Sequence, residues 1–150
     1  MKQEKGLSLL ELVVVVLILG ILLAVAVPVV RNAGGWPLKT AAQELAAAMR
    51  EARETAIAKG QTCTLVFYEL GGRYRLDLPG ETVWTKLPAE LQLLANFPVV
   101  DSRATLYFRF TGAPNRGGYV RLQDQQGRRL YVIVTPVTGR VRIDSLPPSD

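Results

Sequence analysis

Lys5-Gly6-Leu7-Ser8-Leu9-Leu10-Glu11 leads into an apolar run from Leu12 to Val30, interrupted only by Gly20 and Pro28. A helix rising about 1.5 Å per residue carries that run roughly 29 Å, the thickness of a bilayer core. A carboxylate in hydrocarbon costs on the order of 2.5–3.5 kcal/mol on insertion scales, so Glu11 calls for a function and a named partner. Lys2 and Lys5 face only Glu4 among the first six residues. That basic bias puts the N-terminus in the cytoplasm and everything after Arg31 outside it.

Three readings compete for this segment. A secretory signal peptide needs a basic start, an apolar stretch and a small-x-small site, which Ala24-Val25-Ala26 supplies. Against it stand Glu11, the length of the stretch, and Pro28 directly behind the cleavage site. A plain single-pass anchor explains the length but leaves Glu11 unexplained, apart from simple snorkelling to the interface. In the third reading Glu11 has a partner of opposite charge, an amino group, which offsets the cost of burying the carboxylate. Pro28 removes one backbone hydrogen bond and should kink or locally melt the helix.

The rest of the chain is bounded by composition. About 120 residues follow Arg31, enough for one compact domain but not two. Cys63 is the single cysteine, so no internal disulfide can form; alternation puts it on one strand face with Leu65 and Phe67, as a core thiol. There is no histidine, the commonest general base and metal ligand. Neither a carboxylate cluster, a nucleophile beside a base, nor a phosphate-cradling glycine loop replaces it, and no stretch has calcium-loop spacing. Gly34-Gly35, Gly71-Gly72 and Gly117-Gly118 read as turn pairs. We expect no enzymatic activity, no cofactor and no metal site.

After a break over 31–37, rich in turn formers, Leu38, Ala42, Leu45, Met49, Ala52 and Ala56 return at helical spacing. The spacing predicts an amphipathic helix over 38–60, opened by a Thr40/Gln43 capping box and closed by Gly60, with Lys59 in its last turn. From Thr62 the period changes to strands: Thr62–Tyr68, Tyr74–Leu78, Thr82–Leu87, Thr105–Phe110, Tyr119–Gln123, Leu130–Thr135 and Val141–Ile143. Turn signals at Gly71-Gly72, Gln126-Gly127 and Thr138-Gly139 favour hairpins, and no helix intervenes between strands. The fold class is α+β, with the two helices first and an antiparallel sheet domain over 38–150.

The leader Lys5-Gly6-Leu7-Ser8-Leu9-Leu10-Glu11 resembles the junction of type IV prepilins and type II secretion pseudopilins. In this family Leu7 stands where Phe is common, and Pro28 falls where a kinking proline is common. The resemblance implies a leader over 1–6, cut by prepilin peptidase between Gly6 and Leu7 with N-methylation of Leu7. A filament-core helix over 7–30 then follows, whose Glu11 meets the new amine of a neighbouring pilin subunit. It also implies residence in the inner membrane before assembly. Pilin-like proteins run span and second helix together as one stem, and Gly34-Gly35-Trp36-Pro37 departs from that. The junction from Ala47 to Gln61 resembles the H-type minor pseudopilins of type II secretion and the T-type minor fimbrial proteins of type IV pili. So do Phe108 to Gly112, Gly127 to Val132 and Gly139 to Ile143.

Charge is uneven along the domain. Gln43 to Ser102 carries six basic and eight acidic residues, whereas Arg103 to Arg142 carries eight arginines and one acid, Asp124. Alternation puts Arg109, Arg121, Arg140 and Arg142 opposite apolar neighbours such as Phe108, Phe110, Leu122, Val141 and Ile143. This face, with Arg128 and Arg129, is either the polar side of a half-buried sheet or an anion site suited to phosphate backbones. In the T-type relatives a C-terminal Gly-Arg-x-Arg motif is associated with DNA capture, and Gly139-Arg140-Val141-Arg142 matches it. The resemblance thus implies a structural minor subunit, with a DNA-binding minor pilin as the alternative.

Overall fold

The computed structural model describes residues 9–33 and 35–148, with side chains for 9–22 and 35–148. Two compact units result, Met1–Trp36 and Pro37–Asp150. The first holds helix α1, Leu9–Ala33. Its backbone is helical across Pro28, so of the kink or local melting expected there, the melting is absent. Of the stretch read as a break, Arg31 to Ala33 close α1 and Trp36 and Pro37 open the next helix.

Helix α2, Trp36–Lys59, begins earlier than its apolar spacing predicts. Pro37 sits in the first turn, where its missing N–H costs nothing and its φ is already helical. Thr40 and Gln43 therefore lie inside the helix and form no capping box. The other end follows expectation. Gly60 takes φ +64°, and the Lys59 ammonium donates to the Pro79 carbonyl oxygen at 3.4 Å. Leu38, Ala41, Ala42, Leu45, Ala46, Met49, Ala52 and Ala56 form one buried stripe.

Nine antiparallel strands follow among the described residues: β1 (Cys63–Tyr68), β2 (Arg73–Leu78), β3 (Glu81–Lys86), β4 (Gln92–Ala95), β5 (Val99–Val100), β6 (Arg103–Phe108), β7 (Gly118–Gln123), β8 (Arg129–Val134) and β9 (Val141–Asp144). They form two sheets, ordered β3-β2-β1-β6-β5 and β4-β7-β8-β9. Strands β4 and β5 have no counterpart in the sequence reading; they are short and lie within a segment punctuated by Pro88 and Pro98. Pro79-Gly80 links β2 to β3 as a two-residue turn, Gly80 at φ +87°. Gly71 ends a single 3₁₀ turn, Glu69–Gly71, and Gly72 caps it in the left-handed region.

One apolar core joins α2 to both sheets. Cys63, Leu65, Phe67, Leu106 and Phe108 enter it from the larger sheet, and Val120, Leu122, Val132 and Val134 from the smaller. Burying each large side chain contributes about 1.5–3 kcal/mol. The Phe67 and Phe97 rings stack at 5.7 Å and 14°, which ties the β4–β5 connection to β1. Cys63 is fully buried. Desolvation pushes its thiol up, with the Lys59 charge opposing. Phe110, expected beside Phe108 on the buried face, is 63% exposed because β6 ends at Phe108 and the chain turns through Gly112.

Gly117-Gly118 is not a turn pair. Gly118 opens β7, and a Cβ there would stand 2.5 Å from the Asn96 carbonyl oxygen and 2.9 Å from the Phe97 ring. Gly118→Ala is expected to destabilise the domain by about 1–3 kcal/mol through overpacking. Denaturant unfolding of the full chain in detergent checks this; an unchanged midpoint would show that the β4–β7 contact yields freely.

Candidate functional site

Two regions carry the candidate residues, α1 and the arginines after residue 102. In α1, Glu11 lies in the first turn, where a carboxylate complements the helix dipole. Every described side chain from Leu9 to Leu22 is exposed. A helix apolar on all sides needs lipid or other helices as its surroundings. Among the described residues no helix is long and apolar enough to cross a membrane. The described side chains of α1 stop at Leu22, about 20 Å from Leu9 at 1.5 Å per residue. Gly6 and Leu7 lie outside the described residues, as does the side chain of Pro28.

The arginines do not share one face. Arg121 on β7, Arg129 on β8 and Arg142 on β9 lie on the outer face of the smaller sheet, opposite Val120, Leu122, Val132 and Val141. Tyr119 and Tyr131 meet edge to face on that side at 5.6 Å. Arg142 faces Asp144 at 3.7 Å, which offsets part of the charge, and the Arg129 Nε donates to the neutral Gln123 Oε1 at 3.0 Å. Arg109 follows β6 and therefore lies at one end of the larger sheet, not on this face.

Arg128 is committed to a turn. Its Nε lies 2.6 Å from one Asp124 carboxylate oxygen, while the backbone N–H groups of Gln126 and Arg128 donate to the other at 2.9 Å each. Gly127 takes φ +80°. Asp124 thus organises the β7–β8 hairpin, which the Gln126-Gly127 signal announced without its anchor. Burial alone would raise the Asp124 carboxyl; the hydrogen bonds and charge of Arg128 and the Gln126 N–H outweigh it and hold the group below the usual range.

Arg140 lies in the β8–β9 turn, before β9 begins. Arg53, on α2, was not among the sequence candidates. Its Nε donates to the Thr138 carbonyl oxygen at 3.1 Å and to that of Gly112 at 3.3 Å. Gly139 (φ +64°) is buried there, and a Cβ on it would stand 2.5 Å from the Gly112 oxygen. Glycine in Gly139-Arg140-Val141-Arg142 is thus required by close packing and backbone conformation together. Arg50, Arg53 and Arg140 line one cavity beside this turn, with Glu54 at its wall. Nothing in the linear spacing joins residues 50 and 53 to 140.

The family model of the type II transport protein GspH matches residues 41–139, from within α2 through the strands up to the β8–β9 turn. The chain belongs to the GspH family. The model of the prokaryotic N-terminal methylation motif matches residues 1–27. No curated protein sequence matches the chain significantly. Among solved structures, the minor pseudopilin EpsH from the type 2 secretion system of Vibrio cholerae aligns with a TM-score of 0.57 and 18% identity. The alignment covers 75% of this chain and 98% of EpsH. The type IV minor pilin FimU of Pseudomonas aeruginosa aligns at 0.59 and 16%, over 79% of this chain and 94% of FimU. At these identities the likeness concerns the fold, which is type IV pilin-like and α+β. As a GspH-family chain with the methylation motif, this is a pseudopilin- or pilin-type subunit with a membrane-anchoring N-terminus.

The Asp124 turn gives this GspH-family domain a defined acid response. A carboxyl depressed by folding stabilises above the unfolded value of about 3.9 and loses that contribution as pH falls through the lower folded value. Asp124→Asn is expected to lower the thermal midpoint at neutral pH and to flatten its decline in acid. Equal acid slopes for the two proteins in a pH series of melts would contradict this role.

Proposed function

We propose that the chain is a minor subunit of a type II secretion pseudopilus or a type IV pilus, acting at or near the tip or in assembly initiation. Prepilin peptidase cuts it between Gly6 and Leu7 and N-methylates Leu7. Before assembly the protein sits in the inner membrane by its span over 7–30, N-terminus in the cytoplasm and domain outside it. The observation that carries the reading is a lone carboxylate, Glu11, in the first turn of a helix apolar on every described side. Its partner is the Leu7 amine of a neighbouring subunit, since buried charges of both signs are tolerable only when paired. Pro28 lets the span adjust to its neighbours in the filament. The solved relatives, a minor pseudopilin and a minor pilin, support the word minor.

Gly6→Ala is expected to leave an unprocessed, membrane-bound precursor. Glu11→Ala should be cut normally and yet fail to enter filaments, read by mass spectrometry of the mature N-terminus and by immunoblots of sheared filaments. Normal incorporation of the Glu11 variant would overturn the charge-pairing account.

A second reading makes the subunit a DNA-binding minor pilin for natural transformation. Its support is the convergence of Arg50 and Arg53 with Arg140 at the Gly139-Arg140-Val141-Arg142 turn, with Arg121 and Arg142 on the adjoining strands. Phosphate contacts are salt-sensitive by their nature. Mobility-shift assays across a salt series are expected, on this reading, to show binding that Arg140→Ala with Arg142→Ala abolishes. An absence of binding at low salt leaves the structural role alone.

A further inference from the structure

The outer face of the larger sheet carries a set of arginines and aromatics that neither α1 nor the C-terminal arginines explain. Cross-strand register sets Tyr68 beside Arg73 and Arg73 beside Lys86, with Arg75 beside Trp84 in the next row. The guanidinium of Arg73 lies 5.3 Å from the Tyr68 ring centre and 5.0 Å from that of Trp84. Arg103 lies 4.6 Å over Tyr68, and Arg75 5.6 Å from Trp84. Guanidiniums held over ring faces are fixed in position and still have free N–H groups. Trp84 is half exposed in an edge strand.

Charge on this face is unbalanced. Asp77 matches Arg75 at 2.9 Å, yet among the described residues Arg73, Arg103 and Lys86 have no carboxylate within ion-pair distance. Arg73 and Lys86 stand directly opposite each other, a like-charge pair that destabilises a sheet unless an anion lies between them. Beside this row is a cavity of about 420 Å³ lined by Tyr68, Leu70, Arg73, Val99, Arg103 and the Glu69 carboxylate; Glu69 is occupied by the Ala95 N–H at 2.8 Å. Leu70 is fully exposed, and Val99 and Val100 are exposed on the edge strand β5.

We infer that this face docks a carboxylate-rich segment of a protein partner, with its acids on Arg73, Arg103 and Lys86 and an apolar side chain in the cavity beside Leu70 and Val99. A protein fits better than a nucleic acid. Base stacking needs open aromatic faces, whereas Tyr68 and Trp84 already have guanidiniums over them, and exposed aliphatic residues suit an apolar side chain, not a phosphate. The surface adds to the helix-borne assembly proposed above without depending on it. Peptide binding is read on the isolated chain, so its failure leaves the Glu11 account standing, and the reverse holds.

The test uses the full chain in detergent with Trp36→Phe, so that Trp84 is the only fluorescent indole. Probes are a peptide of repeated Glu-Glu-Leu, its Gln-Gln-Leu counterpart, and oligothymidylate. The acidic peptide is expected to change Trp84 emission and to bind less tightly as salt rises, and Arg73→Gln with Arg103→Gln should weaken binding about tenfold. Arg116→Gln, in the β6–β7 loop, should leave it unchanged. If the double variant does not fold, as judged by its thermal melt, Lys86→Gln at the exposed edge reads the same contact with a smaller loss. Equal affinity for the acidic and neutral peptides, tighter binding of oligothymidylate, or unchanged binding by the folded Arg73→Gln/Arg103→Gln or Lys86→Gln variant would overturn the inference.

Discussion

The globular unit depends on one packing constraint: a single helix must fill the space in front of two separate sheets. Helix α2 meets it with small residues, since Ala41, Ala42, Ala46, Ala52 and Ala56 let the backbone come close while Leu45 and Met49 fill what remains. A bulkier stripe would hold the sheets away and leave Phe67, Leu106 and Val132 without a complete set of neighbours. Strand order follows from the same need. The larger sheet offers Cys63, Leu65 and Phe67 to the helix, and the smaller offers Val120, Leu122 and Val134.

Much of this was legible in the chain because periodicity is a local property. The α2 stripe, its Gly60 stop, the core position of Cys63 and seven of the strands follow from spacing and turn residues. What escaped is non-local or too short to have a period. Strands β4 and β5 exist because β7 and β6 offer edges to pair with, and the division into two sheets is set by pairing that no single strand records. The capping box failed for a different reason: Pro37 is a stronger helix opener than Thr40, and it comes first.

The arginines show the same limit at the level of the site. Alternation correctly placed Arg121 and Arg142 away from the core, but it treated all basic residues as one population. The fold sorts them into a partly neutralised face, a hairpin anchor at Arg128, and a turn where Arg140 meets α2. The aromatic and cationic row on the larger sheet was invisible in the charge count, since Arg73, Arg75 and Lys86 fall in the half of the domain whose net charge is negative.

The two hydrogen bonds of Arg53 have a mechanical meaning. One guanidinium on α2 holds the carbonyls of Gly112, on the connection from the larger sheet to the smaller, and of Thr138, in a turn of the smaller sheet. Arg53 thus ties the turn that carries Arg140 to α2 by two polar contacts made outside the apolar core, so the position of that turn is set by the helix as well as by the strands on either side of it.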